Sequence, residues 1–423
     1  MGSREMSRRP KLFYGWYVLA ASSIILFFNQ GARMSIGVMF KPMILELGWD
    51  RSSISLAVFL NFVGFALAVS LVGKFYDRYG PKWVIIISTL LLSLGHMGIS
   101  IINNLWQFLF SYGILAALGL GGTAVPIFSA IAGKWFEKRR GLAISLALAG
   151  NCLGQFALVP LFTFFVLKYG WRMSNLMIGL IMLLVNVSLT FLVIKGDPKE
   201  LGYNSYGTEG STGANADIKH DLSQGNPGDF TLKMAMGTRS FWFFTTIMFI
   251  CGSGDFMITT HLIPFVTDTG ISAASGGNML AWFGLMSLAG ILIAGPVSDL
   301  IGNKVLIAAT FALRFLLFLM ILKYQNVLSF YAFSLFFGLT FLVTAVLLPT
   351  LSSKLYGTTN LGVIVGVITT VHHVGGGFWA YLAGVMFDRA GNYRAVFMLS
   401  MIMALVAVFC TLGIKEERHP VPS

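Results

Sequence analysis

With 423 residues, of which 56% are hydrophobic and only 11% charged, the chain has far too little polar surface for the two or three soluble domains its length would allow. A net charge of +12 raises the question of nucleic acid, but the chain holds no basic soluble domain to bind it. Cys152, Cys251 and Cys410 all fall in apolar runs, where they read as small packing residues and imply no disulfide framework. What remains is a bilayer, where roughly 20 apolar residues span about 30 Å of hydrocarbon.

Twelve apolar stretches follow in chain order, at about 14–40, 52–72, 83–102, 106–133, 142–167, 173–194, 240–266, 273–296, 304–322, 328–352, 361–387 and 394–414. The basic N-terminus (Arg4, Arg8, Arg9, Lys11) leads into a span too long for a signal-peptide core, so no cleaved signal is expected. In the fourth span, Gly119-Leu-Gly-Gly122 followed by Pro126 predicts a weakened helix that bends or packs closely; it is no nucleotide loop, since no Lys-Ser/Thr follows. Residues 196–238, rich in Gly, Ser, Asn and Asp, read as a flexible or partly disordered cytoplasmic linker. They divide the chain into six-helix bundles at 1–195 and 239–423.

Lys and Arg set the orientation. With the N-terminus in the cytoplasm, twenty of the 29 basic residues fall on the inside and seven outside: Lys41, Arg51, Lys168, Arg172, Lys323, Arg389 and Arg394. The positive-inside rule therefore predicts a multi-pass inner (plasma) membrane protein with both termini cytoplasmic.

The halves repeat. Gly73-Lys-Phe-Tyr-Asp77-Arg78-Tyr-Gly80-Pro-Lys82 matches Gly295-Pro-Val-Ser-Asp299-Leu-Ile-Gly302-Asn-Lys304 at an offset of 222 (299 − 77). The same offset pairs Pro42, Glu46 and Gly48 with Pro264, Asp268 and Gly270. An offset of 221 (362 − 141) pairs Gly141 and Gly154 with Gly362 and Gly375. Such halves mark a transporter with a pseudo-twofold axis along the membrane normal.

The doubled loop motif resembles the signature of the major facilitator superfamily. Tyr14-Gly-Trp16-Tyr, Gly48-Trp-Asp-Arg51, Trp135-Phe-Glu-Lys-Arg-Arg-Gly-Leu-Ala143, Ala149-Gly-Asn-Cys-Leu-Gly154 and Gly384-Val-Met-Phe-Asp388-Arg-Ala-Gly391-Asn-Tyr393 resemble its monocarboxylate transporters and bacterial oxalate/formate-type antiporters. The resemblance implies an all-α membrane fold with alternating access, spans 1, 4, 7 and 10 lining a central cavity. It also implies a functional cation near Arg33 in span 1. The family's span 8 arginine has no counterpart, because Gly276 to Gly290 is uncharged.

Three charges lie within the hydrocarbon: Arg33, Arg314 and Asp255. Each costs about 2.5–3.5 kcal/mol at the bilayer centre unless it is paired or wet. Arg33 and Asp255 stand one repeat offset apart (255 − 33), so the axis relates them at equal depth. We expect them to pair across the outer gate, with Arg33 taking a substrate carboxylate in its planar fork and Asp255 then accepting a proton. A fixed structural pair is the alternative. Arg314 either turns inward to the site or is a carbonyl-bonded structural arginine.

His372 matches Asn151 at the 221 offset and is a candidate proton carrier or cavity group; helix-to-helix hydrogen bonding is the competing role. His261, with Thr259 and Thr260, is expected to line the outer vestibule, whereas His96 reads as packing. Asn29, Gln30, Gln155, Tyr112 and Thr340 complete the candidate binding set. Gly73, Asp77, Arg78, Gly80, Asp299 and Gly302 form the conformational loop motif, whose aspartates are expected to pair with nearby Arg and helix N-termini and hold the inner gate shut. No catalytic constellation, metal cluster or cofactor motif is evident. The expected protein is a monomeric secondary transporter of a monocarboxylate or small dicarboxylate, by proton symport or exchange. The alternatives are a carrier of a larger or neutral metabolite (vitamin, sugar acid derivative or drug) and a non-transporting receptor.

Overall fold

The computed structural model describes residues 13–207 and 229–414, almost all of them helical. Among these, ten helical runs are long and apolar enough to cross a membrane. Two of them, 49 and 53 residues long, are about twice what a bilayer needs. Each is a pair of spans, broken at Gly80 (φ 76°) and Gly170 (φ 80°), where only glycine turns the backbone this way without strain.

Twelve spans result: α1 Gly15–Leu47, α2 51–79, α3 81–99, α4 Leu105–Trp135, α5 140–169, α6 171–192, α7 Arg239–Asp268, α8 Ala273–Ile301, α9 Asn303–Lys323, α10 Val327–Tyr356, α11 Leu361–Ala390 and α12 Arg394–Gly413. All twelve predicted stretches are found, most of them extended at one or both ends. The repeat is written into the backbone. Gly48 and Gly270 (φ 67° and 86°) and Gly80 and Gly302 (φ 76° and 86°) share a positive φ at the 222 offset; Gly170 and Gly391 do so at 221 (φ 80° and 70°) but differ in ψ (162° and 6°).

In α4 the helix breaks at Thr123 and restarts from Ala124 in extended conformation. Gly119 packs on Ser88 and Leu92, and Gly121 on Ala68, so the glycine run does bring backbones close. The linker is more ordered at its ends than its composition predicts. Tyr206 N–H donates to Trp135 O at 2.8 Å, and the Asp229 carboxylate accepts from the N–H groups of Thr358 and Thr359 at 2.9 Å. Its middle, 208–228, lies outside the described residues, as do Arg4, Arg8, Arg9, Lys11, Lys219, Lys415 and Arg418.

The halves meet chiefly along α2 with α11 and α5 with α8, pairings that the repeat interconverts, and along α1 with α7. Among the described residues, the close glycine contacts between the halves lie toward the end opposite the chain termini. There Gly277 packs on Thr163, Gly284 on Gln155, Gly377 on Phe59 and Phe62, and Gly384 on Arg51 and Ser55. At the terminal end Gly73, Gly141, Gly295 and Gly362, one on each of the same four helices, have nothing within 4 Å. The bundle is therefore closed at one end and open at the other.

Candidate functional site

Contact between the halves stops about midway along the helices, in a layer of rings. On α2, Phe65 touches His373 of the other half; Leu67 and Leu71 beyond it are exposed. Phe62 of α2 stacks on Phe256 of α7 with centroids 3.9 Å apart and planes 27° apart. His373 of α11 lies 5.0 Å from Phe65 and 5.5 Å from Phe256. Beside them, Gln155 Nε2 of α5 donates to Leu280 O of α8 at 3.0 Å.

Arg33 sits in this layer. Its Cζ lies 4.8 Å from the Phe62 centroid, 4.7 Å from Phe65 and 5.9 Å from Phe256. Ring faces attract the cation but offer no acceptor. Its Nε and Nη2 are buried and, among the described residues, have no hydrogen-bond partner. A guanidinium edge left bare in this way is a seat for a carboxylate, since Nε–H and Nη2–H are parallel donors matched to its two oxygens.

The expected pairing of Arg33 with Asp255 is not found. Asp255 turns into its own half, where Oδ1 lies 2.8 Å from Arg314 Nη2, both side chains 2% exposed. The N–H does not point at that oxygen, so the pair is an ion contact without an aligned hydrogen bond. Equal depth does not guarantee contact: the Arg314 side chain of α9 reaches the carboxylate from within the same bundle, without crossing the interface. Arg314 is thus buried inside the C-terminal half. Its Nε donates to Thr340 Oγ1 at 3.0 Å and its Nη2 to Thr340 O at 3.1 Å. Cys251, Asp255 and His372 bring potential ligand atoms within 4.8 Å of one another, but the Arg314 guanidinium already supplies the cation there.

Several other candidates form their hydrogen bonds within their own half. Asn29 Oδ1 accepts from Asn186 Nδ2 at 2.9 Å inside the N-terminal half. Tyr112 is buried against Phe108 with centroids 5.5 Å apart, and its carbonyl accepts from Asn61 Nδ2 at 2.7 Å. Gln30 and Asn151 are half-buried. His372 is half-buried, with Nδ1 3.2 Å from Met248 O; a carbonyl can only accept, so Nδ1 carries the hydrogen and Nε2 is left as acceptor. His96 contacts Asn175 Oδ1 at 3.2 Å, a packing partner within one half.

His261 belongs to the closed gate and lines no open vestibule. Its Nε2 lies 2.9 Å from Ala380 O and its Nδ1 2.9 Å from Tyr393 Oη. The carbonyl fixes the hydrogen on Nε2, so Tyr393 donates to Nδ1 and accepts from Arg51 Nη1 at 2.8 Å. Burial pushes the Tyr393 phenol up, which keeps it protonated as that donor. Arg51 also donates from Nη2 to Asp268 Oδ1 at 2.9 Å and lies over the Phe387 ring at 3.5 Å. Lys41 Nζ reaches the same Asp268 at 2.6 Å.

The start of α2 is capped from the opposite half. Asp50, at the N-cap position, makes no side-chain cap hydrogen bond. Asp388 of α11 does so instead, accepting from Arg51 N–H at 3.0 Å and Ser52 N–H at 2.8 Å. A helix N-terminus leaves such donors free and favours an anion, so Asp388 satisfies both needs across the interface. The two motifs around Arg51 and Asp388 are halves of one latch.

At the open end Asp77, Arg78 and Asp299 are exposed, and neither aspartate forms an ion pair among the described residues. The expected inner latch is therefore unmade in this conformation. Asp77→Asn is expected to lower transport rate several-fold while leaving relative KM values among substrates unchanged, as measured by uptake with competing substrates.

Sequence reasoning missed the ring layer and the latch partner Asp268. Phe62, Phe65 and Phe256 are hidden among 37 phenylalanines. The latch had a signal: Arg51, a cation counted on the outer side, sits in one quoted motif, Asp388 in another and Asp268 in the repeat.

Two halves sealed at one end around a buried cation form the framework of a carrier, and comparison with known proteins assigns its lineage. The sequence matches the Major Facilitator Superfamily over residues 22–272 and 244–423. The chain belongs to that superfamily. Among relatives, monocarboxylate transporter 2 of Homo sapiens is 27% identical over 95% of this chain and 85% of its own length. An uncharacterized MFS-type transporter of Bacillus subtilis (strain 168), YcxA, is 24% identical over 96% and 98%. Among solved structures, a bacterial homologue of the human lysosomal transporter Spinster, inward-facing and occupied, superposes with a TM-score of 0.74 at 15% identity, covering 96% of this chain and 97% of that one. A D-xylose–proton symporter gives 0.72 at 15%, covering 96% and 98%. The solved structures speak for the major facilitator fold; the sequence relatives place the chain on a monocarboxylate transporter-like branch. Its relatives are transporters, which favours transport over catalysis.

Proposed function

We propose that the chain carries an organic anion bearing a carboxylate across the membrane by alternating access. Bundles 1–195 and 239–423 rock about the Arg33 layer, and 196–238 connects them. The observation that supports this most is the bare Nε/Nη2 edge of Arg33, held between the halves where both can reach a ligand. A buried cation without an acceptor is costly, and a substrate carboxylate removes that cost in each cycle. The excess of basic residues at the terminal side supports an orientation with both termini in the cytoplasm, so that the open end faces inward. The chain acts as a monomer in the inner membrane.

Transport is driven by protons or by exchange for another anion. The proton reading rests on Asp255, whose partner Arg314 is fixed and whose neighbour His372 keeps Nε2 as an acceptor near the ring layer. Asp255→Asn is expected to leave substrate exchange running while uptake loses its response to a pH gradient. Uptake still driven by that gradient would remove Asp255 from the mechanism. The test of the whole reading is uptake of labelled carboxylates into proteoliposomes with and without a gradient; no stimulation by any acid rejects it. A second reading, a larger or neutral metabolite, draws on the uncharged α8 stretch 276–290 and on the aromatic walls of the site.

A further inference from the structure

We propose that the acid carried is an aromatic monocarboxylate, a single carboxylate on a flat ring; this rests on Arg33 being the carboxylate's ligand. Three observations narrow the substrate. The first is charge. Besides Arg33, the cations near the interface are committed: Arg314 to Asp255, and Lys41 and Arg51 to Asp268. The α8 stretch from Gly276 to Gly290 supplies none. A dicarboxylate would bring one anion with a partner and one without, and an unpaired buried charge is the more expensive of the two.

The second is the scarcity of polar partners. Around Arg33 stand Phe62, Phe65 and Phe256, with the imidazoles of His372 and His373 and the Tyr112 phenol within its electrostatic reach. Each imidazole commits Nδ1 to a carbonyl, of Met248 and Thr369 respectively. A short hydroxy or keto acid gains no donor for its second oxygen from the phenylalanine rings or from the imidazole Nε2 atoms, which only accept. The third is the stacking itself. Phe62 and Phe256 already form a parallel pair at 3.9 Å, one ring from each half, with Phe65 and His373 alongside. An aryl ring joined to a carboxylate can continue that stack while its oxygens take Nε and Nη2 of Arg33. Rings of both halves would then grip one ligand, as alternating access requires.

The test is counterflow in proteoliposomes holding the full chain, with labelled benzoate, acetate, lactate, phthalate and the neutral benzamide. Benzoate is expected to exchange at least tenfold faster, at equal low concentration, than any of the others. In Phe65→Leu the ratio of benzoate to acetate rates is expected to fall about tenfold; Phe256→Leu serves as a second variant should the first not fold. Acetate or lactate exchanging as fast as benzoate overturns the aromatic assignment and leaves the carboxylate reading standing. Phthalate exchanging as fast overturns the single-charge assignment. Benzamide exchanging as fast as benzoate, or no exchange of any probe, overturns both the assignment and the reading beneath it.

Discussion

Replacing Arg33 by glutamine is expected to lower kcat/KM for the carboxylate by at least about a hundredfold while leaving the protein folded. Glutamine keeps a polar head on α1 but loses the charge and the two parallel donors. Each hydrogen bond to a charged group is worth about 1.5–3 kcal/mol, so two lost together amount to about 3 kcal/mol or more, and 1.4 kcal/mol is tenfold. Folding should not suffer, because among the described residues Nε and Nη2 bond to nothing. The main loss is the attraction to Phe62 and Phe65, and relief from burying a cation offsets it. Arg33→Lys separates the contributions: the charge stays but the planar fork goes, so activity should fall between wild type and glutamine. Melting temperature in detergent and uptake in proteoliposomes, measured on the same preparations, check both halves of this prediction.

Breaking the latch should shift the conformational balance by a comparable amount. Arg51→Ala removes the hydrogen bonds to Tyr393 and Asp268 and the ring contact with Phe387. It also leaves Asp268 with Lys41 alone. Truncating one member of a buried, hydrogen-bonded charge pair costs about 2–5 kcal/mol, which is about 30-fold or more in the ratio of closed to open gate. Asp388→Asn should act the same way but more weakly, since an amide still offers one oxygen to the α2 N-terminus while losing the charge. Spin labels at the exposed positions Leu45 and Arg389, on opposite halves at the closed end, would report the change. The account expects a longer-distance population to grow in Arg51→Ala. An unchanged distance distribution would mean that packing along α2 and α11, rather than the latch, holds the gate.

The two predictions differ in how far the sequence could foresee them. The spans were legible because a bilayer demands long apolar runs, and the repeat was legible because turns at Gly48, Gly80 and their partners need glycine. Arg33 stood out for the same reason: a cation in hydrocarbon is too costly to be incidental. The repeat offset then put Asp255 at the equivalent place on α7, yet gave no side-chain direction. Asn29 and Cys251 also stand one offset apart (251 − 29), one turn before Arg33 and Asp255, and both face into their own bundles. Asp255 follows Cys251 inward to Arg314, whereas Arg33 stays at the interface among rings. That divergence comes from helix packing within each half, which no offset encodes. The latch was half legible for a similar reason: its charges were visible at the ends of spans, but which ends meet depends on the gate being closed.

The central claim is that a carboxylate crosses this protein bound to Arg33, and counterflow tests it most directly because exchange needs no external gradient. Wild type and Arg33→Gln, reconstituted at equal density and loaded with an unlabelled monocarboxylate, would be presented with the same acid carrying label. The account predicts a transient accumulation of label in wild-type vesicles and none above protein-free vesicles in the variant. Equal accumulation in both would contradict it.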